Sequence, residues 1–173
     1  SAWMRIVVAV PGSVLWLLAD NDTARANMLA RAEAMGVAPE RLIFAPRVTP
    51  AEYLARFQLA DLVLDTFPYN AGTTASDALW MGTPIVTLSG RSYISRMAGS
   101  LLTAVGLPEL AATTLADYEK LAVLLGRQPA RIASYKRYLA EHGRTSPLFD
   151  IPQLVRDIES QFERLALQHR ATD

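Results

Sequence analysis

Four short apolar runs, each followed by a helical pattern, constrain this chain more than any other feature. They cover residues 14–18, 42–44, 62–64 and 85–88. Runs this short, bounded by turn residues, read as strands. Between them the spacing predicts helices. Trp3, Ile6, Val7 and Val10 share one face of a short helix that Pro11-Gly12 ends. Asn21 or Asp22 caps a helix through Met35, with Gly36 just past its end. Thr49-Pro50-Ala51-Glu52 is a capping box with proline at the first helical position, and its helix runs to about Leu59. Further helices are predicted over Thr73–Met81, stopped by Gly82, and Ile94–Val105, stopped by Gly106. Leu110 and Ala111 form a short fifth strand, and three helices follow near 116–126, 130–142 and 152–168. Alternation of this kind predicts an α/β fold, a Rossmann-like parallel sheet with helices on both faces. The continuous run Val14–Leu18 is expected to be a buried strand, and Trp16 and Trp80 to be core.

Composition removes several classes of function. With 173 residues, 51% of them hydrophobic, the chain can bury the core of one domain. Seventeen basic residues balance seventeen acidic ones, which argues against a nucleic-acid surface. There is no cysteine, so disulfides, thiol nucleophiles and cysteine metal sites are excluded. His142 and His169 lack clustered partners, and no metal site is expected. No apolar run approaches the ~20 residues of a membrane span. The opening Ser-Ala-Trp-Met has no signal-peptide pattern. A cytoplasmic chain with an arbitrary start is the expectation.

In an open parallel sheet, ligands bind beyond the carboxyl ends of the strands. That rule selects the loops Ala45–Thr49, Asp65–Thr74 and Ser89–Ser95. The middle one carries the most chemistry. Gly72-Thr73-Thr74 falls where a helix begins, and free N–H groups with the positive end of the helix dipole attract anions there. Gly72 removes a Cβ from the path of an approaching ligand, the two hydroxyls add donors, and Asp77 one turn later suits a sugar diol. A plain N-cap role for threonine is the competing reading. The stretch is neither a Walker loop nor a G-x-G-x-x-G fingerprint. Asp61 reads as a helix-end residue, and Asp65 as an organiser of its own loop through Asx hydrogen bonds. Arg91 and Arg96 flank the turn after the fourth strand.

Longer stretches carry a resemblance. They are Val10–Leu18, Arg41–Pro46, Gln58–Asp61, Leu64–Tyr69, Gly72–Thr74, Asp77–Pro84 and Ser146–Phe149. In these motifs, ordered and spaced alike from Trp3 to about Leu165, the chain resembles the O-GlcNAc transferase and SPINDLY-like glycosyltransferase family.

The resemblance implies one lobe of a GT-B enzyme, in which two Rossmann-like lobes hold the donor between them. Residues 1–173 would be the C-terminal, nucleotide-sugar-binding lobe. Residues 150–170 would be a C-terminal helix that packs back toward the first lobe, with Leu154, Val155, Ile158, Phe162 and Leu165 as a buried stripe. By position, Thr73 and Thr74 would hold the diphosphate and Asp77 the ribose. Pro46, Arg47 and Val48 would offer backbone groups to the base, Val48 foremost. Arg56 would lie near the nucleotide, Tyr53 could stack on the base, and Arg96 would meet a phosphate. The implied reaction is inverting, metal-independent transfer of GlcNAc or a fucose-like sugar to serine or threonine of a protein. No catalytic residue is assigned within the chain, so alone it would be inactive. No cofactor is implied beyond the donor substrate, UDP-GlcNAc first and GDP-fucose second. The acceptor protein would be met by the other lobe or by tetratricopeptide repeats common upstream in the family, with no nucleic acid and no membrane involved. Three positions depart from many members: Tyr53 and Gly72 stand where histidine is frequent, and Pro50 where some carry lysine. They leave open a catalytically lapsed nucleotide-sugar-binding or regulatory module, and beside it a purely structural α/β domain.

Overall fold

The computed structural model describes residues 1–19 and 21–170, the last by its backbone alone. Helix α1 (Ala2–Ala9) leads through Pro11-Gly12 into β1 (Leu15–Leu18). Helix α2 (Asp22–Glu33) starts at Asn21, whose Oδ1 accepts from the Ala24 N–H at 2.7 Å. A 3-10 turn, Pro39–Arg41, opens β2 (Leu42–Ala45). Helix α3 (Pro50–Leu59) carries the full capping box: Thr49 Oγ1 accepts from the Glu52 N–H, and Glu52 Oε2 accepts from the Thr49 N–H at 3.1 Å. Strand β3 (Val63–Leu64), helix α4 (Thr73–Trp80) and strand β4 (Ile85–Leu88) follow. A 3-10 turn over Ile94–Arg96 precedes α5 (Met97–Val105), so the helix expected from Ile94 starts three residues later. Strand β5 (Ala111–Ala112), α6 (Leu115–Gly126), α7 (Pro129–His142) and α8 (Ile151–Arg170) complete the order.

All strand pairs are parallel, but the single sheet expected is split in two. β1 pairs with β2, Leu15 opposite Leu42 and Leu18 opposite Ala45. β3, β4 and β5 form the other sheet, Val63 opposite Ile85 and Thr87 opposite Ala111. A cleft of about 770 Å³, lined by both β1 and β3, separates them. Its walls include Val7 of α1 and Val10 just past it, Phe57 of α3, and Ile132 and Lys136 of α7.

The cleft explains why β1 is not the buried strand its apolar run predicts. Leu15 and Leu17 pack against a core, whereas Trp16 and Leu18 are 37% and 56% exposed. Trp16 is therefore not core; the Arg56 guanidinium lies 5.9 Å from its ring centroid. Trp80 is not core either. At 41% exposed, it is flanked by Phe149 edge-on at 5.0 Å and by Arg144 at 4.6 Å. The apolar count of these runs is right, but each strand or helix has a neighbour on fewer sides than the run implies.

Two cores lie on either side of α1. The larger gathers β4, α4, α5, α6 and α7 around Leu79, Ile85, Leu102, Leu110 and Leu125, and takes Ile6 from α1. The smaller, around Ala32, Val37 and Leu42, takes Met4 and Val7. Helix α1 is tied to α6 by the Arg5–Glu119 ion pair and by Arg127 Nε donating to the Ala9 carbonyl at 2.9 Å. A Cβ on Gly126 would stand 2.9 Å from Val10 Cγ2, so glycine is what lets the end of α6 lie against α1.

The last helix, α8, carries the expected apolar stripe. Leu154, Val155, Ile158, Phe162 and Leu165 form the predicted stripe, but they are 46–68% exposed. Among the described residues none before the helix covers them, so the stripe is exposed there, on the side expected to face the other lobe.

Arg41 closes the turn between α1 and β1. Its guanidinium donates to the carbonyls of Val7, Val10 and Ser13, each at 2.8 Å, and to Ser13 Oγ at 2.9 Å. Arg41→Ala removes the guanidinium donor from three carbonyls; Val7 O keeps the Val10 N–H and Val10 O keeps the Ser13 N–H and hydroxyl, while Ser13 O loses its side-chain partner. Urea unfolding should show a loss of roughly 2–3 kcal/mol. Arg41→Lys should recover less than half, because one ammonium cannot reproduce the planar fork.

Candidate functional site

Helix α4 starts where the anion-site argument places it. Gly72 is its N-cap and supplies no side-chain bond, whereas α2, α3 and α6 are capped by Asn21, Thr49 and Thr114. The first intrahelical bond runs from the Ser76 N–H to the Gly72 carbonyl at 3.0 Å. The N–H groups of Thr73, Thr74 and Ala75 precede that bond and have no partner within the helix. Thr73 is the first helical residue, so the plain N-cap reading does not apply to it. Thr73 and Thr74 are exposed and Asp77 is half-buried. The Gly72 φ is −100°, open to any residue, and a Cβ there would meet only Met97 Cγ at an ordinary 3.7 Å. The protein itself therefore does not require glycine at 72.

The loop before α4 is anchored at Asp65, which is 5% exposed at the end of β3. Asp65 Oδ1 accepts from the N–H groups of Thr66 and Ala71, both at 2.8 Å. Oδ2 accepts from Thr87 Oγ1 of β4 at 2.6 Å. The Asp65 carbonyl accepts from Tyr118 Oη at 3.0 Å, and Trp3 Nε1 donates to that hydroxyl at 3.1 Å. Burial pushes the Asp65 carboxyl above the ordinary carboxylate range, and these hydrogen bonds work against it. Within the loop, Asn70 Nδ2 donates to Thr66 O at 2.7 Å and to Leu88 O at 3.3 Å, while its buried Oδ1 has no partner. Thr66 Oγ1 donates to the Tyr69 carbonyl. Asp65 thus organises its loop as expected. Asp61 is exposed, two residues past the end of α3.

Helix α3 supplies the opposite wall. The Tyr53 hydroxyl meets the side chains of Thr74 and Asp77, and burial holds its phenol above the ordinary value. Its ring stacks edge-on against Phe57 at 5.2 Å. Arg56 Nη1 donates to the Pro46 carbonyl at 2.7 Å, which fixes the segment carrying exposed Arg47 and half-buried Val48. Arg56 is thereby occupied in shaping the loop as well as flanking the site. Arg96 is exposed and immediately precedes Met97, whose side chain faces Gly72. The structure therefore brings Tyr53, Thr73, Thr74 and Asp77 into one cluster at the carboxyl edge of the strands. Arg47, Val48 and Arg56 gather at the end of β2, and Met97, which follows Arg96, faces Gly72.

Four residues of the network carried no signal that marked them in the sequence. Thr87 sits inside the apolar run of β4, and Tyr118 and Trp3 read as amphipathic helix positions. Asn70 reads as a turn residue. Apart from the Asn70–Thr66 bond, their partners lie 18 to 115 positions away, a separation no local pattern reveals. Among the described residues, no group of three His, Asp or Glu is placed to hold a metal ion. No described helix is long and apolar enough to cross a membrane.

Parallel strands flanked by helices, with a helix N-terminus and a carboxylate at their carboxyl edge, define an α/β lobe of the doubly wound class. The family model described as "Glycosyl transferase family 41" matches residues 1–158. A UDP-N-acetylglucosamine–peptide N-acetylglucosaminyltransferase of Caenorhabditis elegans is 38% identical over 91% of the chain and 14% of its own length. The probable transferase SEC of Arabidopsis thaliana is 34% identical over 95% of the chain and 17% of its length. A SPINDLY protein of Petunia hybrida is 32% identical over 94% and 18%. An O-GlcNAc transferase structure from Thermobaculum terrenum superposes with a TM-score of 0.87 at 32% identity, over 98% of this chain and 34% of that one. The chain belongs to glycosyl transferase family 41 and has the α/β fold of one lobe of a GT-B enzyme. It spans 14–18% of the length of these curated relatives.

Tyr118 gives the site a measurable pH signature. Burial pushes its phenol up to about 12, against the opposing hydrogen bond from Trp3. A raised phenol favours the folded chain while neutral, so its stabilisation is whole below an ordinary value near 10 and is lost as pH rises toward about 12. Between those limits the unfolding free energy should fall more steeply in the wild type than in Tyr118→Phe, by on the order of 2 kcal/mol.

Proposed function

We propose that this chain is the donor-binding lobe of a protein O-glycosyltransferase, which transfers a sugar from a nucleotide sugar to serine or threonine. The observation that carries the reading is the uncapped start of α4, with exposed Thr73 and Thr74, set beside Asp77 and Tyr53 at the carboxyl edge of the strands. A diphosphate would take the free N–H groups and the two hydroxyls. Asp77, an acceptor only, would take the ribose diol. The base would lie toward Val48 and Arg47, held by Arg56 through Pro46, with the Tyr53 ring beside it. Room for a Cβ at Gly72 means that the departure there leaves space on the ligand side without distorting the helix start.

As transfer proceeds, the leaving diphosphate gains negative charge. A helix N-terminus and preset hydroxyl donors stabilise that charge more than the ground state. The names of the relatives favour UDP-GlcNAc as the donor; GDP-fucose is the alternative. We assign none of the described residues to activation of the acceptor hydroxyl. We assign the acceptor site and general base to the rest of the longer enzyme, with tetratricopeptide repeats as the acceptor-reading element, in the cytoplasm.

Titration with UDP, GDP, UDP-GlcNAc and GDP-fucose tests the reading. One base series should bind at roughly 0.1–1 mM, weak because one lobe supplies half of a cleft. Thr74→Ala and Asp77→Ala should each weaken it about three- to tenfold, and the Thr73, Thr74, Asp77 triple alanine variant should abolish it. Binding unchanged in the triple variant places the nucleotide elsewhere and rejects the site.

A further inference from the structure

We propose that Asp65 is a positioning residue of the donor site, setting the start of α4 through the Ala71 N–H without touching the donor. The proposal rests on the donor-site reading above. One carboxylate oxygen, Oδ1, holds both ends of the six-residue loop, the N–H groups of Thr66 and Ala71 at 2.8 Å each. Ala71 is joined directly to Gly72, the N-cap of α4. The other oxygen is fixed to β4 by Thr87 Oγ1 at 2.6 Å, so the carboxylate cannot swing. The backbone of the same residue is fixed twice more, by its N–H to Val86 O at 2.9 Å and by its carbonyl to Tyr118 Oη at 3.0 Å. Displacing Oδ1 displaces Ala71, and with it the N–H groups of Thr73 and Thr74.

Electrostatics separates positioning from direct binding. A buried carboxylate beneath an anion site repels the anion, so its charge cannot be its contribution. Its acceptor geometry is. Ala71 spends its N–H on Asp65, leaving the donors beyond it aligned for a ligand. Asparagine preserves that geometry: its Oδ1 can accept from Thr66 and Ala71, and its Nδ2 can donate to the Thr87 hydroxyl, which also accepts. Alanine preserves none of it.

The test uses the whole chain labelled with nitrogen-15. Amide spectra and titrations are recorded for wild type, Asp65→Asn and Asp65→Ala, with UDP and UMP, or GDP and GMP if guanine is the base that binds. Asp65→Ala should shift the Ala71, Thr73 and Thr74 amides and weaken the diphosphate about tenfold, with the monophosphate changed less than about threefold. Asp65→Asn should restore the amide positions and bring diphosphate affinity within about threefold of wild type. A destabilised fold would weaken both nucleotides alike, which overturns the proposal. So does an Asp65→Asn variant as weak as Asp65→Ala, or wild-type affinity in Asp65→Ala. Should Asp65→Ala fail to fold, Thr87→Val removes only the Oδ2 anchor. It should move the Ala71 amide and weaken the diphosphate about threefold, and no change in either overturns the proposal. Absence of nucleotide binding in the wild type rejects the donor-site reading, and the role of Asp65 toward a donor falls with it. The amides then report the tie to α4 separately: unmoved amides in Asp65→Ala overturn that too, whereas amides that move and are restored in Asp65→Asn leave Asp65 as the residue that sets the start of α4.

Discussion

A single buried carboxylate joins the parts of this fold that meet at the site. Asp65 ends β3, bonds to β4 through Thr87, receives α6 and α1 through Tyr118 and Trp3, and closes the loop that starts α4. A charge 5% exposed is costly unless its lone pairs are filled. Three donors fill them here. The arrangement is all-or-none in character, because losing one donor leaves a buried charge short of partners. That makes the loop between β3 and α4 as well fixed as the strands beside it, though it has no regular structure.

The division of the strands into two parallel sheets has consequences on both sides. β4, paired on both edges, is fully buried and forms the centre of the larger core. β1, paired on one edge, leaves Trp16 and Leu18 to the cleft. Helix α1 compensates by sending Ile6 to one core and Met4 and Val7 to the other. Ion pairing and hydrogen bonds to α6 hold it in that bridging place. The carboxyl ends of β1 and β3 flank the cleft, and Tyr53, Arg56 and Thr74 line its rim. Cleft and candidate site are therefore continuous.

Helix α8 presents the opposite case, an element whose pattern outruns its surroundings. Its apolar stripe is as regular as that of any helix in the chain, yet its residues are exposed along the whole length. A stripe of that kind marks the side on which a helix is built to pack. Family membership with a chain covering 14–18% of the curated relatives is consistent with a face meant for more protein than is present.

Local pattern alone determined most of the elements. The capping box at Thr49, the cap at Asn21 and the stops at Gly82 and Gly106 are short-range chemistry, written within four residues, and the structure keeps them. The start of α4 at Thr73 and the bond of Asp65 to the next N–H are legible for the same reason, whereas its bond to Ala71, six residues on, is not. Tertiary structure decided what depends on neighbours distant in sequence. Exposure of Trp16, Trp80 and the α8 stripe follows from which surfaces are covered, and no periodicity states that. The convergence of Tyr53 with Thr74 and Asp77 requires α3 and α4 to lie side by side. The link from Trp3 through Tyr118 to Asp65 joins positions more than fifty residues apart. A sequence fixes which faces of its elements are apolar and where their ends fall. Only packing fixes which polar groups meet, because a hydrogen bond depends on a few tenths of an ångström that the chain reaches once every element is in place.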